Sequence, residues 1–241
     1  MKRNAVIPAK AGIPPCAVPL IEQTPDSRFR GNDEQAKSAL SYLALGDSYT
    51  IGEGVDDAGR WPMQLAARLR DAGIAIADPR ILAKTGWTTD ELAAAMDAAA
   101  PLGNWDFVSL LIGVNNQYRG RTLANYHDEF EQLLQRAIAL AGNRTGRVIV
   151  LSIPDWGVTP FAQNELRSPR RIAQEIDTFN ATAQTLCAAY TVAFVDITGI
   201  SRNNGGAQDM LAEDGLHPSA MQYTRWADAA LVVADGLLAA P

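Results

Sequence analysis

A chain of 241 residues, 47% hydrophobic and 20% charged, has apolar material for one well-buried domain and too little length for two full ones. Its 27 acidic and 21 basic residues leave a formal net charge of -6 with no basic stripe, which argues against nucleic acid and anionic membranes as partners. Two cysteines, Cys16 and Cys187, supply neither a disulfide framework nor a thiolate metal cluster, so a reducing, cytoplasmic location is expected.

Residues 1–37 show neither a helical nor a strand period. Pro8, Pro14, Pro15, Pro19 and Lys10 interrupt any continuous apolar core, so the segment reads as a disordered leader and not as a signal peptide. Its stretches Val6–Pro14 and Asp26–Glu34 resemble a translated interspersed repeat, and no function is assigned to it. No run reaches the roughly 20 apolar residues that a membrane span needs, and no integral membrane association is expected.

From Ser38 onward, short apolar runs alternate with amphipathic stretches. That order is expected of βαβ units, and hence of a parallel sheet covered on both faces. Strands are predicted at residues 40–46, 79–84, 106–112, 147–153 and 191–197. A first helix starts at Trp61-Pro62, where proline is tolerated in the first turn. A second starts at Thr89, with Asp90 and Glu91 favoured by the helix dipole.

Residues 122–140 carry Leu123, Tyr126, Phe130, Leu133, Leu134 and Ile138 along one side at helical spacing. Ser168-Pro169 caps a fourth helix, with Ile172, Ile176, Phe179, Ala183, Leu186 and Tyr190 facing inward. The last helix begins near Pro218 and turns Tyr223, Trp226, Ala230, Leu231, Ala234 and Leu238 to the core. Five strands and about five helices make a three-layer α/β/α sandwich over residues 38–241.

Reactive groups collect where predicted strands end. Gly46-Asp47-Ser48 closes the first strand, with Gly46 giving the backbone the freedom a sharp exit needs. It presents a hydroxyl at the edge where open α/β sheets bind ligands. Such a serine is a nucleophile only if a base and oxyanion donors accompany it. Two histidines exist. His127 lies inside a helix beside its apolar face and reads as a half-buried residue bonded locally. His217 lies in the loop Glu213-Asp214-Gly215-Leu216-His217-Pro218-Ser219, three residues after Asp214, a spacing that lets a loop turn the carboxylate back onto the ring. Gly86 follows the second strand with an unobstructed N–H, and Asn115 follows the third with a side-chain amide.

Gly46-Asp47-Ser48, Gly86, Gly113-Val114-Asn115 and Asp214-Gly215-Leu216-His217 together resemble the four sequence blocks of the SGNH (GDSL-type) hydrolases, over roughly residues 40–238. The resemblance implies a flavodoxin-like sandwich and a serine-dependent carboxylic ester hydrolase. It makes Ser48 the nucleophile, His217 the base and Asp214 the group that orients it. Ser48 N–H, Gly86 N–H and the Asn115 side chain become the oxyanion hole. The implied substrate is a small-molecule ester, with no metal or organic cofactor. Two positions depart from the family pattern, Tyr49 in place of leucine and Asn116 in place of aspartate, and both bear on substrate shape and loop packing.

Other features admit simpler readings. Asp47 reads as a turn carboxylate, and Tyr118-Arg119-Gly120-Arg121 as a solvated charged loop or a contact for an acidic substrate. Trp61, Trp87 and Trp156 are packing or pocket residues, and Asp155 is ambiguous. Two alternatives stand beside the hydrolase: a nucleotide- or phosphate-binding domain with Gly46, Gly52 and Gly54 as an anion cradle, and a non-catalytic SGNH-like binding module. The spacing of those glycines matches neither a dinucleotide fingerprint nor a Walker loop. Simple esters, thioesters, lysophospholipids and acetylated glycans all call for the same groups, and oligomeric state leaves no mark on the sequence.

Overall fold

Each predicted apolar run holds a strand: β1 (Tyr42–Gly46), β2 (Arg80–Ala83), β3 (Phe107–Leu111), β4 (Val148–Leu151) and β5 (Ala193–Val195). The computed structural model describes residues 39–239, so the predicted leader and Cys16 lie outside the described residues. All pairings are parallel, in the order β2-β1-β3-β4-β5. Every residue of β1, β3 and β4 is buried, which explains why these runs are apolar without alternation: helices cover both faces. The edge strands β2 and β5 are only partly covered.

Eight α-helices lie among the described residues: α1 (Ser48–Ile51), α2 (Trp61–Asp71), α3 (Thr89–Ala98), α4 (Val114–Tyr118), α5 (Leu123–Leu140), α6 (Pro169–Ala189), α7 (Thr198–Arg202) and α8 (Ala220–Ala239). The five long ones match the expected helices. The short ones, α1, α4 and α7, follow β1, β3 and β5 and leave no periodic signal, because four or five residues barely exceed one turn of 3.6. Helix α2 packs on α8, while α5 packs on α3 and α6, giving the helical layers on either side of the sheet.

The helix starts are set by local chemistry. Ser168 Oγ accepts the Arg171 N–H at 3.3 Å, and Thr122 Oγ1 accepts the Asn125 N–H at 3.2 Å. At α3 the Glu91 carboxylate reaches back to the Thr88 N–H at 2.9 Å. On α5, Tyr126, Phe130, Leu133, Leu134 and Ala137 are buried, each large one contributing about 2 kcal/mol of transfer free energy. Leu123, expected on the same stripe, is exposed, since packing begins one turn later at Tyr126. His127 is exposed as well and faces Asp128 at 3.0 Å, not the half-buried position its neighbours suggested.

The order of the strands decides where a ligand fits. From β1 the chain moves outward to β2, then crosses back to β3 on the other side of β1. The connections leaving β1 and β3 therefore diverge and open a crevice at the carboxyl ends of these strands. Gly46 marks this point, paired with Ala83 on one side and Leu111 on the other. A Cβ there would lie 2.1 Å from Thr50 Oγ1 and 2.4 Å from the Leu111 carbonyl. Lack of space requires this glycine; its φ is not in the left-handed region, so the freedom of a sharp turn is not the reason. No helix among the described residues is long and apolar enough to cross a membrane.

Candidate active site

Ser48 is the first residue of α1, directly beyond β1, and is almost fully buried. Asp47 caps this helix: its Oδ1 accepts the Tyr49 N–H at 3.1 Å. The turn-forming role expected of Asp47 is observed, but its setting is unusual. The residue is completely buried and Oδ2 has no partner. Burial pushes the carboxyl up to about 7, against the opposing pull of the Tyr49 N–H bond.

Asp214 turns back onto His217 as the three-residue spacing suggested. Its Oδ1 accepts the Leu216 and His217 backbone N–H groups, each at 2.9 Å, while Oδ2 lies 2.5 Å from His217 Nδ1. Partial burial opposes ionisation of Asp214, but the bonds from the His217 ring and from the two backbone N–H groups outweigh it and hold the carboxyl below its usual value. An ionised carboxylate can only accept, so Nδ1 carries the proton and Nε2 is left as a base. The loop is anchored by the Ala212 N–H to the His217 carbonyl at 2.7 Å and by the bridge between Leu211 and Pro218.

Ser48, Gly86, Asn115 and His217 line one cavity of about 160 Å³ at the crevice beyond β1 and β3. Asn115 sits at the start of α4 and donates one amide hydrogen to the Trp87 carbonyl at 2.9 Å, leaving its second for a ligand. Gly86 has a φ of +85°, a conformation that side-chain-bearing residues rarely adopt. Thr85 adds a hydroxyl-bearing residue, and the rest of the wall is aliphatic or aromatic: Tyr49, Val114, Tyr118, Trp156, Phe161 and Leu216. None of these six carries a formal charge.

Both departures from the family pattern acquire a physical reason. Tyr49 is buried and packs edge-on against the His217 ring at 5.7 Å and against Trp226 at 5.8 Å. Asn116 is buried and serves Thr89 in both directions, accepting its N–H at 3.1 Å and donating to Oγ1 at 2.6 Å. A carboxylate in that place would only accept.

The ambiguous residues separate. Trp61 is in the core, Trp87 is half-buried, and Trp156 lines the cavity with its indole N–H on Gln117 Oε1 at 2.9 Å. Asp155 accepts the Gly157 N–H at 2.9 Å and pairs with Arg202 at 2.7 Å, which holds the turn Trp156–Val158. Arg121 pairs with Asp90, and Arg119 bonds the Gly86 carbonyl and Glu91. Sequence reasoning treated Arg119 as solvated and missed its partner 33 residues away. Of the glycines proposed as an anion cradle, Gly46 is paired within the sheet and Gly52 donates its N–H to the Ser48 carbonyl at 3.0 Å. Beyond Thr50 at Gly46, a Cβ at Gly52 would lie 2.4 Å from the Arg60 side chain, and one at Gly54 would lie 2.6 Å from Ala212 Cβ. Among the described residues no group of three or more His, Cys, Asp or Glu side chains is placed to hold a metal ion.

The GDSL-like Lipase/Acylhydrolase family model matches residues 44–225. Among solved structures, TesA is 22% identical, with 82% of this chain and 99% of that one covered at a TM-score of 0.63. A lipase/acylhydrolase from Enterococcus faecalis is 20% identical, covering 83% and 97% at a TM-score of 0.65. An acetyl xylan esterase from Geobacillus stearothermophilus is 19% identical, covering 82% and 95% at a TM-score of 0.61. At such identities these likenesses speak for the fold. No curated protein sequence matches the chain.

Proposed function

The chain belongs to the GDSL-like lipase/acylhydrolase family and is a carboxylic ester hydrolase, and from that premise we propose that it works through a Ser48 acyl-enzyme. His217 Nε2 takes the Ser48 hydroxyl proton as Oγ bonds to the ester carbonyl carbon, and the carbonyl π electrons move to oxygen. The resulting oxyanion accepts hydrogen bonds from the Ser48 N–H, the Gly86 N–H and the free amide hydrogen of Asn115. Collapse of the tetrahedral species breaks the bond to the alkoxy oxygen, which leaves as the alcohol with the proton from His217. Water repeats the sequence with His217 as base, releasing the acid and restoring Ser48. Asp214, ionised by its three hydrogen bonds, holds the ring tautomer and stabilises the imidazolium.

The single observation that carries this reading is the meeting of Ser48, Gly86, Asn115 and His217 on one cavity wall, from four segments distant in sequence. The largely apolar lining supports an ester whose acyl part is neutral and apolar. The reading assigns the chemistry to a domain of residues 38–241.

Ser48→Ala, assayed on p-nitrophenyl acetate, tests it. Turnover is expected to fall by about 1,000-fold or more, with covalent labelling by a fluorophosphonate probe lost. Turnover within a few-fold of the unsubstituted enzyme overturns the assignment.

A further inference from the structure

We propose that Arg119 is a positioning residue for the oxyanion hole, holding the Gly86 peptide in register with Asn115; this rests on the Ser48 mechanism above. Gly86 belongs to the connection between β2 and α3. That connection leaves an edge strand with little cover and contains the residue type with the greatest backbone freedom. A backbone N–H used as an electrostatic donor needs a fixed direction, since preorganisation is what makes it effective.

The direction is supplied by Arg119, the residue that caps the C-terminal end of α4. Arg119 Nη2 donates to the Gly86 carbonyl at 2.5 Å, and Nη1 of the same guanidinium lies 3.3 Å from the Glu91 carboxylate. Asn115, four residues earlier and inside that helix, binds the next carbonyl, Trp87 O, at 2.9 Å. Asn116 holds Thr89 by two further bonds. On the other side of Gly86, the Thr85 hydroxyl donates to Glu53. Carbonyls or side chains at residues 85, 86, 87 and 89 are thus tied down; α4 contributes two of the four anchoring residues, Asn115 and Asn116, and its C-cap Arg119 a third. The helix that carries one oxyanion donor also clamps the loop that carries the other. Their separation then becomes a property of one rigid unit.

Within that clamp Arg119 alone binds the carbonyl of the glycine itself. Releasing it frees rotation about the Gly86 backbone bonds, which no Cβ restricts. A misplacement of about 1 Å in a catalytic group is enough to cost about 100-fold in rate. The planar guanidinium spans the carbonyl and the Glu91 carboxylate at once, whereas a lysine ammonium on a flexible stem offers a point charge. Both partners are within the protein, so the side chain is committed to the loop and is not held out for an acidic substrate.

The test compares Arg119→Ala and Arg119→Lys with the unsubstituted full chain on p-nitrophenyl acetate, with Ser48→Ala run alongside. For Arg119→Ala the expectation is a kcat lower by about 10- to 100-fold with KM within about 3-fold, because the loss falls on the transition state. Fluorophosphonate labelling of Ser48 slows in parallel, amide hydrogen exchange at Gly86 and Trp87 accelerates, and Arg119→Lys is intermediate. The lysine variant, which keeps charge and stem, answers the question where the alanine variant is recovered misfolded. A kcat within 2-fold of the unsubstituted enzyme overturns the proposal, as does a 10-fold rise in KM at unchanged kcat, the mark of a substrate contact. Retained activity in Ser48→Ala defeats the underlying mechanism; an inactive Ser48→Ala beside a fully active Arg119→Ala defeats only the role of Arg119.

Discussion

Asp47 and Asp214 flank the same serine–histidine pair and behave oppositely. Asp47 is fully buried, receives one hydrogen bond on one oxygen and none on the other, and burial pushes its carboxyl up to about 7. Asp214 is partly exposed, and its modest burial is outweighed by the hydrogen bonds it receives, so its carboxyl sits below the usual value. The difference teaches that nearness to a nucleophile does not make a carboxylate part of the chemistry. The proposed mechanism also needs the carboxylate ionised beside the histidine, and hydrogen-bond donors decide that against desolvation. Asp214 has the donors to remain the anion that the proposed mechanism sets against an imidazolium. Asp47 has the burial of a residue that caps a helix and packs.

The largest break of this contrast is Asp214→Asn. The amide can supply an N–H to His217 Nδ1 and stabilise the wrong tautomer, so kcat is expected to fall by about 1,000- to 10,000-fold in steady-state assays. A loss under 10-fold would remove Asp214 from the mechanism.

Next in size is the pH dependence of stability at Asp47. Between about pH 4 and pH 7 the unfolded chain releases a proton that the folded chain keeps, so the contribution of this group to stability falls as pH rises and levels off above about pH 7. Asp47→Asn removes that loss. The melting temperature of the variant minus that of the unsubstituted protein should therefore increase from pH 5 to pH 8. Each tenfold difference in acidity between the folded and unfolded carboxyl is worth about 1.4 kcal/mol, and a domain of this size gains about 2–4 °C per kcal/mol, so the change amounts to several degrees. A difference that stays flat with pH would show Asp47 titrating like an exposed carboxylate. The smallest expected effect is on turnover by the same variant: kcat within about 3-fold at pH 8, since an amide oxygen still accepts the Tyr49 N–H. A loss near that of Asp214→Asn would make the two carboxylates partners.

Much of this was legible before folding. The alternation of apolar runs and amphipathic stretches announced the five strands and five long helices, because burial on two faces or one leaves a period in the sequence. Asp214 and His217 could be paired on paper since the contact spans three residues. The short helices α1 and α4 were invisible for want of period. Arg119 was misread as a solvated charge because its partner Gly86 lies 33 residues away across a sheet crossover and offers a backbone carbonyl, which leaves no mark in the sequence. Gly46 was assigned correctly but for the wrong reason: the crowding by Thr50 and Leu111 is a fact of packing that a turn rule does not contain.

Residue type and local spacing by themselves determined the parallel sandwich and the groups able to react, since periodicity and side-chain chemistry are properties of short stretches. Tertiary structure decided which of those groups share a cavity, which carboxylate keeps its charge, and what steadies the Gly86 loop. Burial and hydrogen-bond partners come from segments far apart in the chain, and their electrostatic consequences exist only once the crevice between β1 and β3 has formed.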